Sequence, residues 1–319
     1  MFILIGLFLG LALNSLFINK NNINSAYKIH PAKSDFKLIN PLIAFEVSSD
    51  QNAFQELAPL HRRLEDFVGK EIPAGYQVSI YYRGMENSHW FGINENDEYD
   101  PASLYKVPFM IAYLKIAETD PVVLPKKITF TAEDADNDKD KLSAQAASLV
   151  EGRSYSIEEL IEKMIIGSEN SAKNLLLKNI DLNNVASVFE ELGIPFLGED
   201  YYKISAKKYS LFFRILYNST FLNREMSEKA LDILSRANFA YGLSGGLPKD
   251  TPMAHKFGDH AIYKDGKIIG FELHDCGIIY SDPDKPYFLC VMTRGDNLQS
   301  LSQIIQRVSR IVYEEKSSL

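Results

Sequence analysis

From about residue 130 to 240 apolar residues recur with helical spacing, and strand-like alternation occurs only before and after that block. Upstream, Gln51 to Val68 sets Phe54, Leu57, Leu60, Leu64 and Phe67 on one helical face. Tyr76 to Tyr82 alternates as a strand, and Trp90-Phe-Gly-Ile93 begins a second. Ser103 to Ile116 reads as an apolar, mostly buried helix. Inside the block, Ser156-Ile-Glu-Glu159 is a capping box opening a helix over Ile157 to Ile166. Downstream, strands are expected at 252–258, 268–280 and 286–293, with Lys264-Asp-Gly-Lys267 as a hairpin turn and Leu298 to Glu314 as a closing amphipathic helix. This order is α+β. Its simplest assembly is a five-stranded antiparallel sheet flanked by N- and C-terminal helices, with an inserted all-helical lobe at about 120–240. The folded domain then spans 51–316.

A chain of 319 residues, 46% hydrophobic, buries a substantial core and is neither disordered nor fibrous. Its 34 basic against 42 acidic residues give a net charge of −8, which argues against a nucleic-acid partner. Six scattered histidines and two cysteines offer no cluster of zinc-site spacing, so neither a metal nor a cofactor is expected. Residues 1–19 carry no ionisable side chain, and Phe2 to Ile18 is apolar apart from Asn14 and Ser15. Residues 1–24 therefore read as a signal peptide or a membrane anchor, with attachment through residues 2–18, and both alternatives stay open. Residues 25–50, rich in Asn, Ser and Lys, read as a tether. The expected location is extracytoplasmic: periplasmic, secreted or membrane-anchored. Export permits a disulfide, and Cys276 and Cys290 lie on two apolar runs of a hairpin. A one-residue change of register moves one of them to the other face, so two ordinary buried cysteines fit as well as a bridge.

A serine three residues before a lysine at a helix start places both side chains on one face, beside N–H groups that favour a developing anion. The lysine can take the serine's proton only when neutral, a condition that burial and a second cation promote. Four such pairs occur: Ser25/Lys28, Ser34/Lys37, Ser103/Lys106 and Ser205/Lys208. The first two lie in the tether, and Ser205/Lys208 suits a helix cap. Only Ser103 follows Pro101-Ala102 and opens a strongly apolar helix.

Two further segments complete a set. Ser168-Glu169-Asn170 sits between two apolar helical runs, as a cleft lining or as a turn and N-cap. His255-Lys256-Phe257-Gly258 opens a strand shortly after Gly246-Leu-Pro248. Ser103 and Ser168 are 65 residues apart, and Ser168 and Lys256 are 88 apart. In this order and spacing the segments resemble the S-x-x-K, S-D-N and K-T-G motifs of class A β-lactamases and penicillin-binding proteins. The resemblance covers about residues 50 to 316.

It implies a serine hydrolase in which Ser103 is the nucleophile and Lys106 its activating partner. Ser168 relays a proton to the leaving atom, and Lys256 supplies a second positive charge across the cleft. Asn170 hydrogen-bonds the acyl-side amide, and Gly258 and Asp259 border an oxyanion hole made by the backbone N–H groups of Ser103 and Asp259. Three departures qualify this. The loop that carries the deacylating glutamate in class A enzymes is truncated, leaving Glu199 or Asp200 as substitutes, although solvated turn positions suit both. Phe257 stands where the family has a carboxylate-binding hydroxyl, and Cys276 where many members have an arginine. Arg294 is the remaining cation for that subsite, although a surface position suits it. Glu169 for Asp is the mildest change.

The expectation is a β-lactamase-like hydrolase acting through a Ser103 acyl-enzyme on an amide or ester, of β-lactam or cell-wall peptide type. The alternatives are a non-catalytic penicillin-binding-like recognition protein and a D-Ala-D-Ala-type peptidase with slow β-lactam turnover.

Overall fold

Alternation along a strand sorts side chains onto two faces, and here each face acquires its own core. The computed structural model describes residues 37–40, 53–87, 89–135, 149–196, 203–237 and 239–316. Helix α1 (Ala53–Lys70) precedes strands β1 (Gln77–Gly84) and β2 (Trp90–Ile93). A two-residue strand β3 (Glu98–Tyr99) and a 3-10 turn (Ala102–Tyr105) lead into helix α2 (Lys106–Ala117). The lobe continues with strands β4 (Lys127–Thr129) and β5 (Ser154–Ser156), then helices α3 (Ile157–Ile166), α4 (Asn170–Leu177) and α5 (Leu182–Glu191). Strand β6 (Ile204–Ser205) and helices α6 (Ala206–Tyr217) and α7 (Arg224–Ser235) close it. Strands β7 (Met253–Lys264), β8 (Lys267–Ile279) and β9 (Tyr287–Gly295) and helix α8 (Leu298–Lys316) complete the chain.

Strands β1, β2, β7, β8 and β9 form one antiparallel sheet, as the sequence implies, and the structure gives their order as β2-β1-β9-β8-β7. The lobe also contains the two-stranded ribbon β4–β5, and β3 pairs with β6; neither pair is apparent from periodicity because the strands are only two or three residues long. Strand β7 runs on past residue 258 to Lys264, because β8 keeps offering it partners up to Lys267. The polar residues Asp259 and His260 are compatible with this, since β7 is an edge strand with water on one side.

Register fixes which residue faces which core. Phe257, Asp275, Val291 and Ile80 form one row across four strands, and Phe257, Val291 and Ile80 pack with Leu64 of α1 and Ile305 of α8. The adjacent row, Lys256, Cys276, Cys290 and Tyr81, faces the lobe, where the last three join a core with Met110 and Tyr113 of α2. Cys276 and Cys290 are thus directly opposite on one face, and they form a disulfide.

Helix α2 is buried on nearly every side, in keeping with its uniformly apolar sequence. Pro108 is tolerated because it lies in the first turn, where no intrahelical N–H partner is lost. At α3 the capping box forms as expected: Ser156 Oγ accepts from the Glu159 N–H at 3.1 Å, and Glu159 accepts from the Ser156 N–H at 2.7 Å.

Of the expected tether, residues 37–40 lie against the domain. Glu228 on α7 accepts hydrogen bonds from the backbone N–H groups of Lys37, Leu38 and Ile39, and Ile39 is buried. The expected signal or anchor segment, the rest of the tether, and Glu199 and Asp200 lie outside the described residues. Among the described residues no helix is long and apolar enough to cross a membrane.

The disulfide closes a short loop between fully buried positions. Replacing both cysteines by alanine is expected to lower unfolding stability by about 2–4 kcal/mol. Urea denaturation of the oxidised wild type and the double variant measures this.

Candidate active site

The serine of the first motif sits at the mouth of a turn that the chain cannot form unaided. Ala102 adopts φ +46°, a left-handed conformation that costs a non-glycine residue on the order of 1–3 kcal/mol. Its N–H donates to Asp100 Oδ1 at 2.8 Å, and the Leu104 N–H donates to Pro101 O at 2.9 Å. Tyr209 of α6 donates its hydroxyl to Leu104 O at 3.1 Å. Ser103 is partly exposed, whereas Lys106, one turn on, is buried.

Strand β7 approaches this turn edge-on. A Cβ added at Gly258 would lie 2.7 Å from Pro101 O and 3.1 Å from the Ser103 nitrogen, so only glycine admits the close approach. The β7 backbone at Gly258 therefore packs directly against the turn that carries the Ser103 N–H.

The second motif faces the same turn. Lys106 Nζ donates to Ser168 O at 2.7 Å, Ser168 Oγ at 3.1 Å and Asn170 Oδ1 at 2.6 Å. Ser168 has φ +51°, a second left-handed non-glycine residue at the site. Glu169, between them, turns aside and caps α4 by accepting from the Ser171 N–H at 3.2 Å. Ser168 and Asn170 thus meet Lys106, while Glu169 supplies the N-cap.

Lys256 completes the group. Unlike most strand lysines it is fully buried, and its Nζ donates to Ser168 Oγ at 3.0 Å and to Phe257 O at 3.0 Å. Burial pushes its ammonium down to about 7, against an upward pull from Asp259 and Asp275. The Ser168 hydroxyl accepts from two amines, so its own proton points away from both.

The structure accounts for the remaining departures. Phe257 is fully buried, stacked on Phe239 at 3.8 Å and 8°, with Lys256 Nζ 4.0 Å from the centre of its ring. Cys276 is committed to its disulfide. Arg294 is engaged two rows along the sheet from Lys256, with its Nε 2.6 Å from Glu272 Oε1 and its Nη1 2.6 Å from Gln77 Oε1. Ser205 caps α6 as expected, and Lys208 pairs with Glu98.

Sequence reasoning passed over Asp100, Glu272, His274 and Asp275. Asp275 is fully buried, accepting from His255 at 2.8 Å and from the Leu243 N–H at 2.8 Å behind Lys256. The available signal was polar residues repeating inside the apolar run of β8. Among the described residues no group of three His, Cys, Asp or Glu side chains is placed to hold a metal.

A family model described as the β-lactamase enzyme family matches residues 59–315. No curated protein matches. Among solved structures, the chain is similar to PBP-A at 20% identity, covering 82% of this chain and 97% of that one, with a TM-score of 0.69. An acyl-enzyme complex of a PBP-A mutant with penicillin G is similar at 20% identity, covering 82% and 98%, with a TM-score of 0.69. A class A β-lactamase from Bacteroides cellulosilyticus is similar at 15% identity, covering 85% and 100%, with a TM-score of 0.70.

The lowered Lys256 value has a sign that can be tested. Between about pH 7 and the ordinary lysine range near 10.5, the unfolded chain holds a proton on Lys256 that the folded chain does not. Stability from this group therefore rises with pH across that window, by at most about 1.4 kcal/mol per pH unit. Denaturation of wild type and Lys256→Met at pH 7, 8 and 9 should show a difference that shifts towards the wild type as pH increases.

Proposed function

Because the chain belongs to the β-lactamase enzyme family, a family of serine hydrolases, we propose that it is an extracytoplasmic hydrolase that carries its substrate's acyl group on Ser103. The observation that carries this reading is the Ser168 hydroxyl held between Lys256 and Lys106, the lysine one turn on from Ser103. Lys106, once it has lost a proton and with it one of its three donated bonds, accepts the Ser103 proton as Oγ bonds to the acyl carbon. The N–H groups of Ser103 and Asp259 stabilise the resulting oxyanion. On collapse the bond to the leaving nitrogen or oxygen breaks, Ser168 protonates that atom, and Lys106 returns a proton to Ser168. The ester on Ser103 is then hydrolysed by water. The Asn170 amide oxygen is taken by Lys106, so a substrate bond from this side chain is donated by Nδ2, to a carbonyl.

The substrate is an amide or ester of β-lactam or cell-wall peptide type. The penicillin adduct known for the PBP-A mutant supports a covalent intermediate in this fold. Position 257 lacks a hydroxyl and Cys276 lacks a charge, so a substrate carboxylate loses charge-assisted bonds, each contributing about 1.5–3 kcal/mol. The truncated loop removes the usual deacylating glutamate, so the acyl-enzyme is long-lived. A disulfide persists in oxidising compartments, which supports export, with residues 1–24 as either a signal peptide or a membrane anchor.

Intact-protein mass spectrometry with a fluorescent penicillin tests the reading. One probe mass should add to the wild type, persist for many turnover times of an ordinary β-lactamase, and be absent in Ser103→Ala. No adduct in the wild type would sink the acyl-enzyme reading and favour recognition without chemistry. Rapid product release would instead assign a deacylating base, to be sought with Glu199→Gln and Asp200→Asn. A methyl group at Gly258 meets backbone atoms of the nucleophile turn, so Gly258→Ala should slow acylation by about a hundredfold.

A further inference from the structure

The turn that carries Ser103 is held from behind by two buried polar residues of β8 that no motif contains. Glu272 is 2% exposed, and its Oε2 accepts from the Asp100 N–H at 3.1 Å. His274, fully buried, donates from Nε2 to the Asp100 carbonyl at 2.9 Å. Its Nδ1 accepts from the Thr293 N–H of β9, at 3.3 Å, which fixes the proton on Nε2. Asp100 then passes the constraint on, since its own carboxylate holds the N–H of Ala102, the residue at φ +46° next to Ser103. Both peptide groups of Asp100 and its side chain are thereby fixed to one geometry.

We infer that Glu272 and His274 are positioning residues for Ser103, pinning Asp100 so that the left-handed turn at Ala102 presents the nucleophile to the cleft. The inference rests on the acyl-enzyme reading above. A buried carboxylate is expensive, and an apolar replacement of similar volume often stabilises a fold. Stability alone therefore does not explain a glutamate inside β8. Burial pushes the Glu272 carboxyl up, but the hydrogen bonds of His274 and Arg294 and the charge of Arg294 outweigh it and keep the group below the ordinary glutamate range. Arg294 is held in turn by Gln77 and lies over the Tyr99 ring, whose neighbour is His274. The strained turn is over-determined by the sheet, as residues in such conformations require.

The test separates the hydrogen bond to Asp100 from the ion pair to Arg294. Time-resolved mass spectrometry of the full chain with a fluorescent penicillin gives the maximal acylation rate and the half-saturating probe concentration for each variant. Glu272→Ala and His274→Leu should each lower the maximal rate about tenfold or more, with the half-saturating concentration little changed. Glu272→Gln keeps an acceptor for the Asp100 N–H and should recover most of the rate. Arg294→Met removes the ion pair together with the Gln77 and Tyr99 contacts but leaves the Glu272–Asp100 hydrogen bond, and should lower the melting temperature more than the rate. Folded Glu272→Ala and His274→Leu proteins that acylate at the wild-type rate would overturn the inference, as would a Glu272→Gln protein no faster than Glu272→Ala. If Glu272→Ala does not fold, His274→Leu and Glu272→Gln decide the matter on the same criteria. A wild type that takes no label removes the acyl-enzyme reading and this inference together, whereas unaffected variants beside a labelled wild type remove this inference only.

Discussion

Two lysine side chains taken out of water and aimed at one serine hydroxyl are the interaction on which the rest of this protein's design depends. Neither ammonium is tolerable in the interior without partners. The fold supplies the partners from separate places: a carbonyl just before α4, an amide on its first residue, and an adjacent carbonyl on β7. Lobe and sheet therefore meet at a site whose polar groups belong to neither alone. Such a network keeps a core from closing over it, and it leaves Ser103 at the rim with polarised groups behind it.

The sheet contributes more than a platform. Its lobe-facing rows run from Lys256 and the disulfide, through Gly258 and His274, to Glu272 and Arg294. The first row carries a cation, the second the glycine that admits the Ser103 turn, and the third the buried carboxylate that accepts from the Asp100 N–H. A slip of one residue would exchange these with the apolar row of Phe257, Val291 and Ile80, so register and chemistry are specified together.

Much of this was legible before any coordinates. Apolar alternation in β1, β8 and β9 and the long helical block marked the α+β order, because those patterns report burial directly. The three motifs marked a cluster, since the structure brings Lys106, Ser168 and Lys256 into contact beside the Ser103 turn. Three things were not legible. The state of the cysteines turned on a register that the hairpin sequence leaves open by one residue. Strands as short as β3 and β6 have no periodicity to read. The roles of Asp100, Glu272 and His274 arise from hydrogen bonds between residues more than 170 positions apart, which a local pattern does not encode. Phe257 was legible as a missing hydroxyl, but its stack on Phe239 and its ring beneath Lys256 needed the third dimension.

Helix α2 carries the lysine of the first motif on its first residue and is otherwise wrapped in the lobe's core. Rotating or sliding it by a fraction of an ångström to accommodate a different methionine or phenylalanine would carry Lys106 and the Ser103 turn with it. Interiors packed at crystal density pass such displacements on instead of absorbing them. The lobe interior is accordingly a dial on reactivity: substitutions at positions such as Met110, remote from any ligand, are a route by which this chain's turnover can drift or be selected without a change in the residues that touch substrate.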